Sequence, residues 1–326
     1  MPIAQKVDDA QRNSQPIAVA VATFKKYSED RCSNLAAMIA FWGFFSIFPL
    51  FIVLITCLAW FLPADDKSSV LSHVAKMLPL LDPSSISGLS GSWWVLAVGL
   101  LTALWSGTGV VRSAQFAFDS VWEVPYHERP GLAKQTIRSL WVLGTIGLGL
   151  VLTTLLSGFI VGSSSGVHLG PVGHVAGYIL SAVLDVAIFV AAFRLLTERA
   201  QSIGEVLPGA LLSGVAFFIL QQLSALIVSH YLQNAQATYG HFATVITILW
   251  WFYIQSVITL LGAQLNVVLK EGFYPRSVVG PPTTSADRRV HQAYAAERTY
   301  HPDQRVTTRM EREHAVQSGT SERAPV

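Results

Sequence analysis

Residues 139–193 read SLWVLGTIGLGLVLTTLLSGFIVGSSSGVHLGPVGHVAGYILSAVLDVAIFVAAF, and the single charged residue among them is Asp185. Residues 201–269 are as bare, with only Glu205 charged. A helix rises about 1.5 Å per residue and the hydrocarbon core of a bilayer is about 30 Å thick, so about 20 mostly apolar residues span it. By that measure the first stretch holds two spans, 140–161 and 175–196, and the second holds two more, 207–232 and 242–269. Toward the N-terminus, 36–62 and 93–111 also qualify. The sequence predicts an all-α polytopic membrane helix bundle with six transmembrane helices. Pro49 falls inside the first span and predicts a kink there.

Composition agrees. Hydrophobic residues make up 52% of the 326 and charged residues only 13%, where a soluble domain carries about 25% charged. Mean hydropathy is +0.46. A soluble fold of this size cannot cover its surface with so few charges. Two cysteines, Cys32 and Cys57, give neither a disulfide framework nor a metal cluster. A net charge of +2 does not mark a nucleic-acid partner.

Lysine and arginine positions set the orientation. Lys6, Arg12, Lys25, Lys26 and Arg31 precede the first span. Arg112, Arg129, Lys134 and Arg138 sit between the second and third, Arg194 and Arg199 mark the end of the fourth and the turn after it, and Lys270, Arg276, Arg288 and Arg289 follow the sixth. The opposite side has only Lys67 and Lys76, offset by Asp65, Asp66 and Asp82. Both termini are therefore expected in the cytoplasm, and no apolar leader is visible in the polar first fifteen residues.

Three regions result: a cytoplasmic segment 1–35, a transmembrane domain 36–269 and a cytoplasmic tail 270–326. Ile17, Val21, Phe24 and Tyr27 follow helical spacing, which suits either an interfacial helix or an extension of the first span. Residues 68–78 fit a short outer helix. From Arg276 onward there is no Trp, Phe, Leu or Ile, with eight basic and six acidic residues, so the tail is expected to be disordered apart from one helical stretch near 288–298.

Motifs in the spans carry a resemblance. Ala40-Phe41 with Phe45-Ser46-Ile47-Phe48-Pro49-Leu50, then Leu104-Trp105-Ser106-Gly107, Pro208-Gly209-Ala210, Tyr239-Gly240 and Gly262-Ala263-Gln264-Leu265-Asn266 stand in order over 24–269. In this the chain resembles the YihY/BrkB membrane proteins. The resemblance implies a six-helix bacterial inner-membrane protein linked to the envelope, with no settled activity; some members carried ribonuclease BN or serum-resistance labels. The chain departs from that pattern at Gln264, where the family often has Glu, and at 119–122, where it has Asn-x-x-Tyr-like residues.

Asp185 lies near the midplane of its span, where a carboxylate costs roughly 2.5–3.5 kcal/mol or more. Tyr178 and Ser181 precede it at i−7 and i−4 on the same face. Gln255, Thr259, Gly262 and Asn266 make a second polar stripe, and Gln222 and Ser229 a third. Asp185, Tyr178, Ser181, Gln222, Gln255, Thr259 and Asn266 form a candidate polar path; interhelical hydrogen bonding is the rival reading. Small residues four apart, Gly99 and Ala103, Gly209 and Ser213, Ala210 and Gly214, read as close helix packing. On the inner link, Arg112, Asp119, Glu123 and Arg129 read as an interfacial amphipathic helix with ion pairs, or else as a gate or docking surface. Trp42, Trp122 and Trp141 suit an inner aromatic belt and Trp60, Trp93 and Trp94 an outer one, while Trp105, Trp250 and Trp251 lie deeper.

His73, His168, His174, His230 and His241 map to the outer side, with no metal-ligand spacing. No G-x-S-x-G, Walker loop or H-E-x-x-H occurs, so no catalytic residue, cofactor or metal is expected. The lipid bilayer, and a lipid or small solute, are the expected partners. Two functions remain in play. One is a transporter or lipid-handling envelope protein; the other is a structural membrane protein whose polar residues only pin helices.

Overall fold

The computed structural model describes residues 2–61, 93–161, 171–239, 242–278 and 284–308. Among these residues all regular structure is helical. The long helices are α3 (Cys32–Phe61), α4 (Trp93–Val121), α5 (Leu132–Val161), α6 (Pro171–Leu196), α7 (Ile203–Tyr239) and α8 (Phe242–Glu271). Before them come α1 (Pro2–Asn13) and α2 (Gln15–Glu29), and after them α9 (Ser285–Glu297). Each long helix packs on the next in chain order, and α8 closes the ring against α3. Among the described residues five stretches, Cys32–Leu50, Trp93–Val121, Ile179–Leu196, Ile203–Gln221 and Phe242–Glu271, are long and apolar enough to cross a membrane. The outer wall is apolar too, with Leu101, Trp105, Leu148, Ile179, Val183 and Ile219 all exposed. A wall of that composition is solvated by hydrocarbon, not water.

Glycine and serine set the helix spacing. On α7, Gly209 and Ser213 meet α8, and a side chain on Gly209 would overlap the Gly262 carbonyl. One residue on, Gly214 meets α6, where an added Cβ would lie 2.6 Å from Val186 Cγ2. The two small-residue stripes of α7 thus serve two different neighbours. Gly99 packs on Ile52 and Val53 of α3. Pro49 sits within α3 as expected.

The α2 alternative resolves as a separate helix. Ser14 is its N-cap residue, Pro16 lies in its first turn, and Arg31 breaks the chain before α3 with φ 52. Its buried face is Ala18, Ala22, Thr23 and Lys26, whereas Phe24 is 64% exposed.

The helical stretch expected near 288–298 is present as α9, while 279–283 and 309–326 of the tail lie outside the described residues. Helix α8 ends in a Schellman turn at Gly272 (φ 65), with Phe273 N–H donating to the Val268 carbonyl at 3.0 Å. Helix α9 then opens with a capping box, in which Thr284 Oγ1 accepts from Asp287 N–H at 3.1 Å while Asp287 Oδ2 accepts from Thr284 N–H at 3.0 Å. Ala286, Asp287, Val290 and Ala295 are buried, as is Arg276. Side-chain ion pairs, not a large apolar face, order this segment. The inner link departs from its reading, since α4 runs on to Val121 and a single 3-10 turn, Tyr126–Glu128, follows in place of an interfacial helix. Trp122 is 1% exposed, under Lys270 and Arg199, and so is a core residue and not part of an aromatic belt. Trp141 is 76% exposed, and Trp105 is exposed with its ring edge-on to Trp42. The outer helix expected at 68–78 lies outside the described residues, with His73, His168 and His241 and the side chains of His174 and His230.

Candidate functional site

The polar stripe of α8 is used in helix contacts. Asn266 Oδ1 accepts from the Gly209 N–H at 2.6 Å, beside Pro208 in the first turns of α7. Ser213 donates to the Ile258 carbonyl at 3.1 Å. Thr259 donates to the Gln255 carbonyl of its own helix at 2.8 Å. These bonds answer the demand that buried polar groups find partners. Gln255 and Ser181 are half-buried, and the side chains of Tyr178, Gln222 and Ser229 lie outside the described residues. Asp185 is 4% exposed on α6, next to Val186 where α7 comes closest. No hydrogen bond or ion pair reaches its carboxyl among the described residues.

The four inner-link residues each tie to a different element. Arg112 reaches Thr136 of α5. Asp119 Oδ1 accepts from Thr197 Oγ1 at 3.3 Å and from Glu198 N–H at 3.0 Å, between α6 and α7. Glu123 pairs with Lys26 of α2. Arg129 pairs with Glu297 of α9 at 2.7 Å and lies 4.2 Å from the centre of the Tyr126 ring.

Lys26 is the centre of a buried cluster that the sequence reading did not single out. It is 0% exposed, and its ammonium donates to Asp30 Oδ2 at 2.7 Å and to the Val121 carbonyl at 3.1 Å besides pairing with Glu123. Beneath it, the Gln264 amide donates to Asp30 Oδ2 at 2.5 Å and to Cys32 Sγ at 3.1 Å. A glutamate at 264 would have to be protonated to make those bonds, so the departure from the family pattern has a local reason. Above it, the Tyr294 ring of α9 lies 5.5 Å from the ammonium and its hydroxyl donates to Glu29 at 3.1 Å. Burial alone would lower the Lys26 pKa, but Glu123 and Asp30 outweigh it and raise it. Burial pushes Glu123 up to about 7 against the pull of Lys26. A signal existed in the sequence, because Ala18, Ala22 and Lys26 form one four-residue stripe in which the lysine continues a small-residue face.

A second buried set anchors α9. Arg276 donates to Asp287 at 2.6 Å and to both Glu29 oxygens at 2.9 Å, while Lys25 pairs with Asp287 at 3.2 Å. Burial would raise the Asp287 pKa, but Arg276 and Thr284 hold it well below the usual carboxylate range. Among the described residues no group of three or more His, Cys, Asp or Glu is placed to hold a metal ion.

On the lateral side, α2 leaves a groove of about 600 Å³ against α7 and α8. Val19, Phe24, Ala216, Leu261, Leu265 and Leu269 are among its walls, with Gln15 and Thr23 as polar members.

Comparison with known proteins gives a consistent picture. Ribonuclease-like protein YfkH of Bacillus subtilis is 23% identical over 264 residues, covering 76% of this chain and 93% of that protein. A UPF0761 membrane protein of Photobacterium profundum is 23% identical over 296 residues, covering 87% and 91%. Another, from Pseudoalteromonas translucida, is 23% identical over 210 residues, covering 63% of this chain and 66% of its own length. No solved structure matches the chain. The profile of the Virulence factor BrkB family matches residues 23–286, from the middle of α2 to the start of α9, and the chain is an integral membrane protein belonging to that family.

Proposed function

We propose that this protein crosses the bacterial inner membrane six times with both termini in the cytoplasm, and that it handles lipid. Helix α5 supplies the sixth crossing, since its 30 residues reach about 45 Å, more than a hydrocarbon core needs. Lysine and arginine on the links after α4 and α6, and around α2 and α9, support the inward termini.

The observation that carries the lipid reading is the groove between α2 and α7/α8. It is walled almost wholly by aliphatic and aromatic side chains, with Gln15 and Thr23 as its polar members. An acyl chain matches it in chemistry. Asp185 supplies a titratable group deeper in the bundle. A structural role is the second reading, and the Asn266–Gly209 and Ser213–Ile258 bonds favour it, because they use part of the expected polar stripe to join α7 and α8.

The ribonuclease-like name of YfkH does not carry over on chemistry. Outside the membrane the acids Asp30, Glu123, Asp287, Glu297 and Glu29 are taken up by Lys26, Arg129 and Arg276, and no basic groove accompanies them among the described residues. We read the chain as non-enzymatic.

A photoactivatable phospholipid in inner-membrane vesicles tests the lipid reading. Adducts are expected to concentrate on Leu261, Leu265 and Phe24, and to fall at least fivefold in Ala216→Trp, which fills the groove. Adducts spread evenly over Leu101, Leu148 and the groove residues would leave only passive lipid solvation.

A further inference from the structure

The Lys26 cluster holds more negative than positive groups. Asp30, Glu123 and Glu297 face Lys26 and Arg129, so two cations meet three carboxylates; the side chains of Lys26, Asp30 and Glu123 are buried and the Arg129–Glu297 pair is partly exposed. Among the described residues the charged or titratable groups that act on Glu123 are Lys26 and Asp30 at the end of α2, Cys32 on α3, and Tyr294 and Glu297 on α9, with Arg129 of the inner link paired to Glu297. Gln264 on α8 supplies a neutral amide. One proton would make the set neutral.

The backbone points to the same residue. Glu123 has φ 46 and occupies the position after α4 where its neighbour Val124 N–H donates to the Asp119 carbonyl at 2.8 Å. That is the left-handed slot of a Schellman turn, where glycine is the relaxed choice. A glutamate held there at a cost of order 1 kcal/mol is kept for its side chain.

Helix α9 covers this cluster from the cytoplasmic side through polar and ring contacts, all partly open to water except the buried Arg276–Asp287 pair that anchors its start. They are Arg129–Glu297 at 2.7 Å, Tyr294–Glu29 at 3.1 Å, Arg276–Asp287 at 2.6 Å and the stacked rings of Tyr126 and Tyr300 at 4.9 Å. We propose that the Lys26–Asp30–Glu123 cluster is a proton-binding site and that α9 is its lid, closed while the site holds a proton and opening when the proton leaves. Ionised Glu123 adds an uncompensated charge beside Asp30 and Glu297, and exposing the cluster to water relieves it. Burial of Glu123, only partly offset by Lys26, brings this step to about pH 7.

The test places spin labels at Gln292→Cys on α9 and Ser28→Cys on α2, both exposed, in full-length protein carrying Cys32→Ser and Cys57→Ser and held in lipid nanodiscs. Distances are read by double electron–electron resonance at pH 5.5 and 8.5. A single short distance is expected at pH 5.5, with a longer population at least fivefold larger at pH 8.5. Glu123→Gln is expected to stay short at both pH values. An unchanged distribution between the two pH values in the otherwise unaltered protein overturns the proposal, as does a Glu123→Gln protein that still opens; the first outcome needs no further variant to fold.

Discussion

Replacing Lys26 with Met removes the cation that Asp30 and Glu123 share among the described residues, while keeping an unbranched side chain of similar length. The side chains of Lys26, Asp30 and Glu123 are 0%, 3% and 4% exposed, so solvent screening offers no discount. Breaking a buried pair by deleting one partner costs about 3–5 kcal/mol, because the other charge stays buried and uncompensated. The bond to the Val121 carbonyl, about 1 kcal/mol, goes as well. For a protein of this size about 2–4 °C accompanies each kcal/mol, which puts the melting temperature about 8–24 °C lower. Detergent-solubilised protein melted at pH 8 gives the number directly. The pair Lys26→Met with Glu123→Gln should recover at least half of the loss, since one of the two stranded carboxylates is then neutral. A single variant within about 2 °C of wild type, or a double variant no better than the single, refutes the cluster energetics.

Three more outcomes follow from the geometry. Gly262→Ala should destabilise by about 1–3 kcal/mol, because its Cβ would overlap Ser213 Oγ, whereas Gly144→Ala, with nothing within 4 Å, should stabilise by up to about 1 kcal/mol; thermal melts that rank them the other way contradict the α7–α8 packing. Asp185→Leu should leave detergent stability unchanged or raise it, since no described group bonds that carboxyl, while any lipid-linked phenotype is lost; a fall of more than about 5 °C would make the residue a helix lock. Glu123 has a folded pKa of about 7 against an ordinary 4.5, so the folded state holds its proton longer and stability falls as pH rises through that window. The shift amounts to roughly 3 kcal/mol at about 1.36 kcal/mol per pH unit. Glu123→Gln should flatten that part of the stability–pH curve, and an unchanged slope assigns the titration elsewhere.

What the sequence shows of this protein is what the bilayer demands. Hydrocarbon forbids charge over about 20 residues at a time, so the long helices stand out as bare stretches. Close helix contacts demand small side chains, so Gly209/Ser213 and Gly214 on α7 were legible as packing, although which stripe meets which neighbour was not. The cytoplasmic layer hides for the opposite reason. Arg276 and Glu29 are 247 residues apart and Arg129 and Glu297 are 168 apart, so the pairs that dock α9 leave no local period to read. A charge-rich tail without large aliphatic residues shows a helix only as a short stretch near 288–298, and the partners from α2 and the inner link that hold α9 are not visible in it. Trp122 shows the same limit. At the end of an apolar run it fits an interfacial belt, yet the chain turns there and buries it. The polar stripe of α8 was readable as inward-facing, but its use in bonds to α7 depends on Pro208 and Gly209 across the interface.

The six-crossing arrangement with an inner α2–α9 layer is tested most directly by labelling single cysteines with a membrane-impermeant thiol reagent in spheroplasts. In a background of Cys32→Ser and Cys57→Ser, Ser164→Cys between α5 and α6 should react in intact spheroplasts, and Gln292→Cys on α9 only after lysis. Reaction of Gln292→Cys in intact spheroplasts, or of Ser164→Cys only after lysis, contradicts it.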